Sequence, residues 1–264
     1  MKRGYIDGAL GQVHYRTAGD GEVLVFLPPG GRSSQVGEPL FRVLSQRYRV
    51  VAFDTPGCGN SDALPEGAGI KEIAVCFVDI FEQLELGPVH IVGLHTGHKI
   101  GAAIAVHPRA SLKSFVLIGN THSLIPDQPS RNAAIRYVKN ALDKPWWDSS
   151  AAADIPRRGA NGESLEAIID QLQSQACEAR LYDANFAYDM ARDLALIDIP
   201  TLVIEIATPH EDRRLGRQGE MVRELIRGSR LHTLQATADS PFNVEKQSDE
   251  LAGIIEVFCR SASA

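Results

Sequence analysis

The sequence predicts a protein of the α/β class, with a mostly parallel, doubly wound sheet of eight strands and a helical insertion after the sixth. Continuous apolar runs at residues 23–27 and 49–54 indicate strands that are buried on both faces, as parallel strands are. Segments with helical spacing alternate with such runs, which is typical of right-handed crossover connections. The alternation stops after Ile118 and resumes at Ile199, which predicts the insertion.

The elements follow from local patterns along the chain. Residues 4–17 alternate apolar and polar positions around Gly8 and Gly11, which predicts a hairpin of two antiparallel strands. Six more strands are predicted at residues 23–27, 49–54, 89–92, 114–118, 201–205 and 230–234. Helices are predicted at residues 37–47, 70–86, from 97 onward, and at 130–142, 163–179, 183–194, 216–227 and 247–260. We therefore expect a core domain of residues 1–122 and 196–264, with an inserted helical domain at 123–195.

Composition narrows the classes of partner. The chain has 264 residues, 44% hydrophobic and 23% charged, which is ordinary for a globular protein. Its net charge of −6 disfavours nucleic acids and anionic membranes as partners. No signal peptide is visible, and the four cysteines have no C-x-x-C spacing, so we expect reduced thiols and a cytoplasmic location. We expect a small-molecule ligand, no cofactor, no metal, and a monomer or homodimer.

The stretch at residues 89–105 carries the strongest local pattern, V-H-I-V-G-L-H-T-G-H-K-I-G-A-A-I-A. A β-branched run leads into a turn flanked by Gly93 and Gly97, and an Ala/Gly/Ile-rich helix follows. Small residues on both sides of position 95 allow the strand and the helix to approach closely. The side chain of His95 is then expected to project from a sharp, strained turn.

The order and spacing of these pieces resemble the α/β-hydrolase fold with a helical cap. The segment D-T-P-G-C-G-N-S at residues 54–61 matches the D-x-P-G-x-G-x-S turn of that superfamily. Residues 93–97 resemble its G-x-Ser-x-G nucleophile elbow, with His95 in place of the serine. Ile199 and Pro200 lead into the strand that precedes the family's usual acid loop. The resemblance covers essentially the whole chain.

The resemblance implies a Ser-His-acid triad, and all three positions depart from it. His95 occupies the serine position. Asp239 occupies the histidine position, and no histidine follows His232, which lies within the last predicted strand. The acid position falls at Pro209, followed by His210, Glu211 and Asp212, and the alternative acid position falls near Asn120 and His122. A Ser-His-Asp acyl-enzyme mechanism is therefore excluded.

The family's oxyanion hole uses backbone donors, which survive side-chain replacement. Here they would be the N–H groups of Thr96, at the start of a helix, and Gly30, in the loop after the first buried strand. The usual His-Gly of that loop is replaced by Pro28 and Pro29.

These features lead to two hypotheses. In the first, His95 is a general base oriented by Asp239, and it promotes water attack, proton transfer or lyase chemistry on a small carbonyl-containing or ester-like molecule. In the second, the protein is a catalytically silent ligand binder, since every triad side chain has changed. Weaker alternatives are Thr96 as a nucleophile, and a metal site formed by His95, His98 and Asp239.

Further residues are expected to line the pocket because they fall on loops at the sheet's carboxyl edge or in the insertion. They are Pro29, His122, Trp146, Trp147, Phe186, His210 and Phe242.

Overall fold

An eight-stranded sheet forms the centre of the fold, in a computed structural model that describes residues 1–119, 121–125, 128–142, 155–160, 164–235 and 247–263. The spatial order is β1-β2-β4-β3-β5-β6-β7-β8, with β1, β2 and β4 joined antiparallel and all other neighbours parallel. The strands are β1 Lys2–Gly8, β2 Gly11–Ala18, β3 Val23–Leu27, β4 Arg49–Phe53, β5 Val89–Leu94, β6 Leu112–Ile118, β7 Thr201–Ala207 and β8 Arg230–Gln235. This architecture confirms the predicted fold class.

Strand β3 explains why the central strands are apolar without interruption. Val23, Val25 and Leu27 pack into a cluster on one face of the sheet. Leu24 and Phe26 pack into a second cluster on the opposite face. Because helices cover both faces, alternation of apolar and polar residues would place polar groups in one of the two cores.

Ten helices lie in the described part of the chain. They are α1 Glu38–Leu44, α2 Ile70–Gln83, α3 Thr96–Ala105, α4 Gln128–Leu142, α5 Ile155–Ala160, α6 Leu165–Ala187, α7 Met190–Leu194, α8 Pro209–Arg214, α9 Gly219–Leu225 and α10 Ser248–Ser263. Two short 3₁₀ helices span Ser34–Gly37 and His122–Leu124. Within those described ranges, no helix is both long enough and apolar enough to cross a bilayer.

The helices between β6 and β7, α4 to α7, are called the inserted helices below. The sequence predicts a break between residues 179 and 183, whereas α6 is continuous from Leu165 to Ala187. The chain breaks instead at Asp189, whose Oδ1 accepts a bond from Arg192 N at 3.4 Å and caps α7. Helices α5 and α8 form where the sequence predicts connecting segments.

Helix α6 contacts loops at the carboxyl edge of the sheet. Asp170 of α6 accepts hydrogen bonds from Arg32 Nε at 3.1 Å and from Ser33 N at 3.2 Å, in the loop after β3. Farther along α6, Arg180 donates to Leu64 O at 3.1 Å. Helix α6 therefore packs against loops at the edge at which parallel sheets of this kind bind ligands.

Candidate functional site

His95 occupies a strained turn between β5 and α3. Its φ of 48° and ψ of −109° lie outside the regions that non-glycine residues ordinarily adopt. The turn is held by His95 N, which donates to Ile118 O of β6 at 3.0 Å. A Cβ on Gly97 would lie 2.0 Å from Leu27 O, and one on Gly93 would lie 2.5 Å from His98 Cα. Both flanking glycines are therefore required by close backbone approach.

The His95 ring lies against Gly119, at the carboxyl end of β6. A Cβ on Gly119 would be 2.7 Å from His95 Cε1 and 3.0 Å from both ring nitrogens. Gly119 also has a φ of 87°, which favours glycine independently. The ring, which is half-buried, thus occupies space that any other residue at position 119 would take.

His98 supports this turn from behind and is fully buried. Its Nδ1 lies 2.9 Å from Ile118 O, and because a carbonyl only accepts, Nδ1 carries the proton. Burial lowers the pKa of His98 to about 3, so the imidazole is neutral. Ile118 O therefore accepts from both His95 N and His98 Nδ1, which joins the turn to the end of β6.

The two predicted oxyanion donors lie on adjacent segments. A Cβ on Gly30 would lie 2.8 Å from Thr96 Oγ1, so the loop after β3 passes directly beside the first residue of α3. No backbone carbonyl of the described residues accepts a bond from the N–H of Thr96 or of Gly30. The N–H of Thr96 lies at the N-terminus of α3, where negative charge is favoured.

Lys99 is one helical turn after His95 and is 1% exposed. Its Nζ donates to Ser123 Oγ at 2.7 Å and to Asn185 O of α6 at 2.9 Å. Burial lowers the pKa of Lys99 to about 7. A neutral amine has two N–H donors, which match these two acceptors.

The turn at residues 54–61 is a structural support for the loop after β3. Asp54 accepts bonds from Ser34 N at 2.7 Å, Asn60 N at 2.9 Å and His14 Nδ1 at 2.9 Å. Burial alone would raise the pKa of Asp54, but these hydrogen bonds hold it below its usual value. A Cβ on Gly59 would lie 2.3 Å from Asp54 Oδ2, so the glycine of the motif is needed there.

Strand β7, which leads into the expected acid loop, carries a structural carboxylate that the sequence analysis missed. Glu205 is buried within β7, and its Oε1 accepts from Gln218 N at 2.8 Å and Gly219 N at 2.7 Å at the start of α9. The Gln218 side chain bridges to Thr121 N and O, at 2.8 and 2.9 Å. The position expected for the acid, Pro209, begins helix α8.

The predicted pocket residues are described only in part. His122 and Phe186 come together, with ring centroids 5.7 Å apart, and Pro29 is buried in the loop after β3. His210 lies in α8, and its side chain is outside the described residues. Outside them altogether lie Asn120, Trp146, Trp147, Asp239 and Phe242. Contact between His95 and Asp239 therefore stays a prediction.

The structure shows contacts that bear on the two weaker alternatives, Thr96 as a nucleophile and a metal site that includes His98. Thr96 Oγ1 accepts a bond from Asn185 Nδ2 at 3.2 Å, so the hydroxyl faces the inserted helices. His98 uses Nδ1 on Ile118 O, which leaves only Nε2 for a metal. In the part of the chain that the structure describes, no three His, Cys, Asp or Glu side chains are grouped to hold a metal ion.

A separate polar cavity of about 330 Å³ lies between the loop after β3 and α6. Arg32, Gln35, Glu38, Glu166 and Asp170 are among the residues that line it. His95 is not one of them. We assign the candidate site by the strained turn and its donors, because chemistry needs reactive groups rather than volume alone.

Lys99 and Asn185 are the site residues that the sequence analysis missed. Lys99 could have been noticed as the one charged residue in the stretch G-H-K-I-G-A-A-I-A, whose other residues suit a helix buried on all sides. Asn185 carries no such signal, since its partners are 60 to 90 residues away in sequence.

Comparison with known proteins places these features in a family. RutD of Stutzerimonas stutzeri, provisionally named a carbamate hydrolase, is 27% identical over 208 residues, covering 73% of this chain and 76% of the relative. The 3-oxoadipate enol-lactonase 1 of Acinetobacter baylyi is 25% identical over 249 residues, covering 90% and 88%. Another match, 31% identical over 93 residues, covers only 35% of each chain.

Structural comparison agrees. The crystal structure of a hydrolase from Pseudomonas aeruginosa PA01 superimposes with a TM-score of 0.77 at 21% identity, covering 97% of both chains. Residues 22–195 match the model of the family described as alpha/beta hydrolase fold. This chain belongs to the alpha/beta hydrolase fold family.

Proposed function

We propose that this protein is an enzyme that acts on a small carbonyl-containing or ester-like molecule by acid–base catalysis, without a covalent intermediate. His95 would be the base, on a turn that corresponds to the family's nucleophile elbow. The observation that carries the proposal is the strained backbone of His95, beside the N–H groups of Thr96 and Gly30. A strained residue at a helix N-terminus is typical of functional sites in proteins.

The proposed hydrolytic step uses His95 as the base and the N–H groups of Thr96 and Gly30 as the oxyanion donors. The His95 imidazole takes a proton from a water molecule, and the resulting hydroxide attacks the carbonyl carbon. The carbonyl oxygen becomes an oxyanion that accepts hydrogen bonds from Thr96 N and Gly30 N. The tetrahedral species then expels the leaving group, which takes the proton from the imidazolium. Asp239 would orient the ring, and the inserted helices would act as a cap that limits access of water.

The relatives support this class of substrate. One relative is provisionally named a carbamate hydrolase and another is named an enol-lactonase. Hydrolysis of a carbamate or of a lactone breaks a bond between a carbonyl carbon and a heteroatom. The same base could instead remove a proton next to a carbonyl, since the resulting enolate also places negative charge on the oxygen.

The direct test is a turnover screen of small esters, lactones and carbamates, followed by His95→Ala. We expect this change to lower kcat/KM by about 10²- to 10⁴-fold. His107→Ala, beyond the other end of α3, is the matched control and should keep full activity. Unchanged turnover in His95→Ala would overturn the proposal.

The partnership with Asp239 is tested by a double variant. If His95 and Asp239 act as one unit, adding Asp239→Asn to His95→Ala should cause little further loss of kcat/KM. If the two residues act independently, the fold losses of the two single variants should multiply in the double variant.

A fluorophosphonate probe should not label the wild-type protein, because no nucleophilic serine is required.

A second candidate is a catalytically silent binder, favoured by the change at every triad position. It predicts that no substrate in the screen turns over. It also predicts that small carbonyl compounds bind the wild type and His95→Ala equally.

A further inference from the structure

Asn185 contacts Thr96, the first residue of α3, which directly follows His95. It belongs to α6, is 5% exposed, and its Nδ2 donates to Thr96 Oγ1 at 3.2 Å. Thr96 is the residue whose backbone N–H is the proposed oxyanion donor. The side-chain amide of Asn185 is therefore in hydrogen-bond contact with the side chain of the residue that carries this proposed donor.

The other end of this amide has no protein partner. Asn185 Oδ1 is buried, and none of the residues in the described ranges donates a hydrogen bond to it. Buried carbonyl oxygens in native proteins nearly always have a partner. An acceptor left without one, next to a candidate site, marks a position where a ligand would supply the donor.

Asn185 is also held so that it cannot easily turn away. Lys99 Nζ donates to Asn185 O at 2.9 Å and fixes the helix backbone at this residue. One turn earlier, Leu181 Cδ2 lies 3.5 Å from the Cβ position of Gly30, so α6 packs on the loop after β3. Helix α6 is therefore held at Asn185 by Lys99 of α3 and at Leu181 by the loop that contains Gly30.

We propose that Asn185 is a specificity-determining residue that selects substrates with an N–H group next to the reacting carbonyl. This inference rests on the proposed function. With the carbonyl oxygen at the N–H of Thr96, a neighbouring substrate N–H donates to Asn185 Oδ1. Carbamates, amides and ureas carry this group, whereas esters and lactones place an oxygen or a carbon there and leave Oδ1 unpaired.

The test uses two substrates that differ only at this atom. The p-nitrophenyl ester of N-butylcarbamic acid has N–H where p-nitrophenyl hexanoate has CH₂. The ratio of kcat/KM for the two, corrected for spontaneous hydrolysis, is measured in the wild type and in Asn185→Leu. Because the ratio does not depend on the amount of folded enzyme, partial unfolding of the variant does not affect it.

We expect Asn185→Leu to lower the carbamate-to-ester ratio by about 10- to 100-fold, the range for an unpaired buried polar group. Gln173→Leu, an exposed amide on the same helix, is the matched control and should keep the wild-type ratio. If the carbamate-to-ester ratio of Asn185→Leu is within twofold of the wild-type ratio, or is higher, the inference is overturned.

A binding measurement separates this inference from the proposed function. If the wild type turns over neither substrate, the proposed function fails, and calorimetry with methyl N-butylcarbamate and methyl hexanoate then decides the role of Asn185. Tighter binding of the carbamate that is lost in Asn185→Leu supports it. Equal affinity for the two compounds, or no binding of either, overturns it.

Discussion

Replacement of Lys99 by methionine tests the most unusual electrostatic feature of this fold. Lys99 is fully enclosed between α3, Ser123 and the backbone of Asn185. Methionine has a similar length and no charge. The variant therefore removes the titrating group while keeping most of the packing volume.

The expected magnitude follows from the pKa. Burial lowers the pKa of Lys99 from 10.5 to about 7. Between these values the unfolded chain binds a proton that the folded protein does not, so the stability of the wild type rises with pH. At about 1.4 kcal/mol per pKa unit, the rise amounts to about 5 kcal/mol from pH 7 to 10.5. Lys99→Met lacks this contribution.

The assay is urea unfolding of both proteins at intervals from pH 6 to 10.5. We expect the free energy of unfolding of the wild type, minus that of Lys99→Met, to increase by several kcal/mol across this window. It should stay constant below pH 7. Lys71→Met is the control: it also removes a lysine, but one whose side chain is 61% exposed, so it should not reproduce this increase. Parallel curves for wild type and Lys99→Met would refute a lysine that is neutral when buried.

Three further predictions concern the supports of the site. Gly119→Ala should destabilise the protein by about 2 kcal/mol in chemical denaturation, and by less in a His95→Ala background, where the ring contact is gone. The same loss of stability in both backgrounds would contradict this contact. His98 should show no imidazole titration by NMR between pH 8 and 4, since its pKa is about 3, and a midpoint near 6.5 would disprove its burial as a neutral ring. Glu205→Leu should cost about 3 kcal/mol in urea unfolding, because Gln218 N and Gly219 N lose their acceptor, and a loss below 1 kcal/mol would count against that role.

The inserted helices illustrate where local patterns are insufficient. The sequence predicts a break within residues 179–183, yet α6 continues to Ala187. Asp170 near its start contacts the loop after β3, and Asn185 near its end contacts α3. Tertiary contacts at both ends favour one continuous helix over the interruption that local pattern alone indicates.

The turn at residues 54–61 illustrates the opposite case. Its motif is local, and the structure uses Gly59 to let the chain pass Asp54, whose oxygens then bind Ser34, Asn60 and His14. Sequence could identify the turn but not its partners, since two of the three lie in other strands or loops.

The sequence by itself determined the sheet, the order of its strands along the chain and the sharp turn at His95. These depend on the period of apolar residues and on glycines beside one position, which are properties of short segments. The tertiary structure decided what surrounds His95. Gly119 makes room for its ring, and His98 and Ile118 hold its backbone. Lys99 donates to the backbone oxygen of Asn185 and holds α6 beside the start of α3. These contacts join segments distant in sequence, so no local pattern could have specified them.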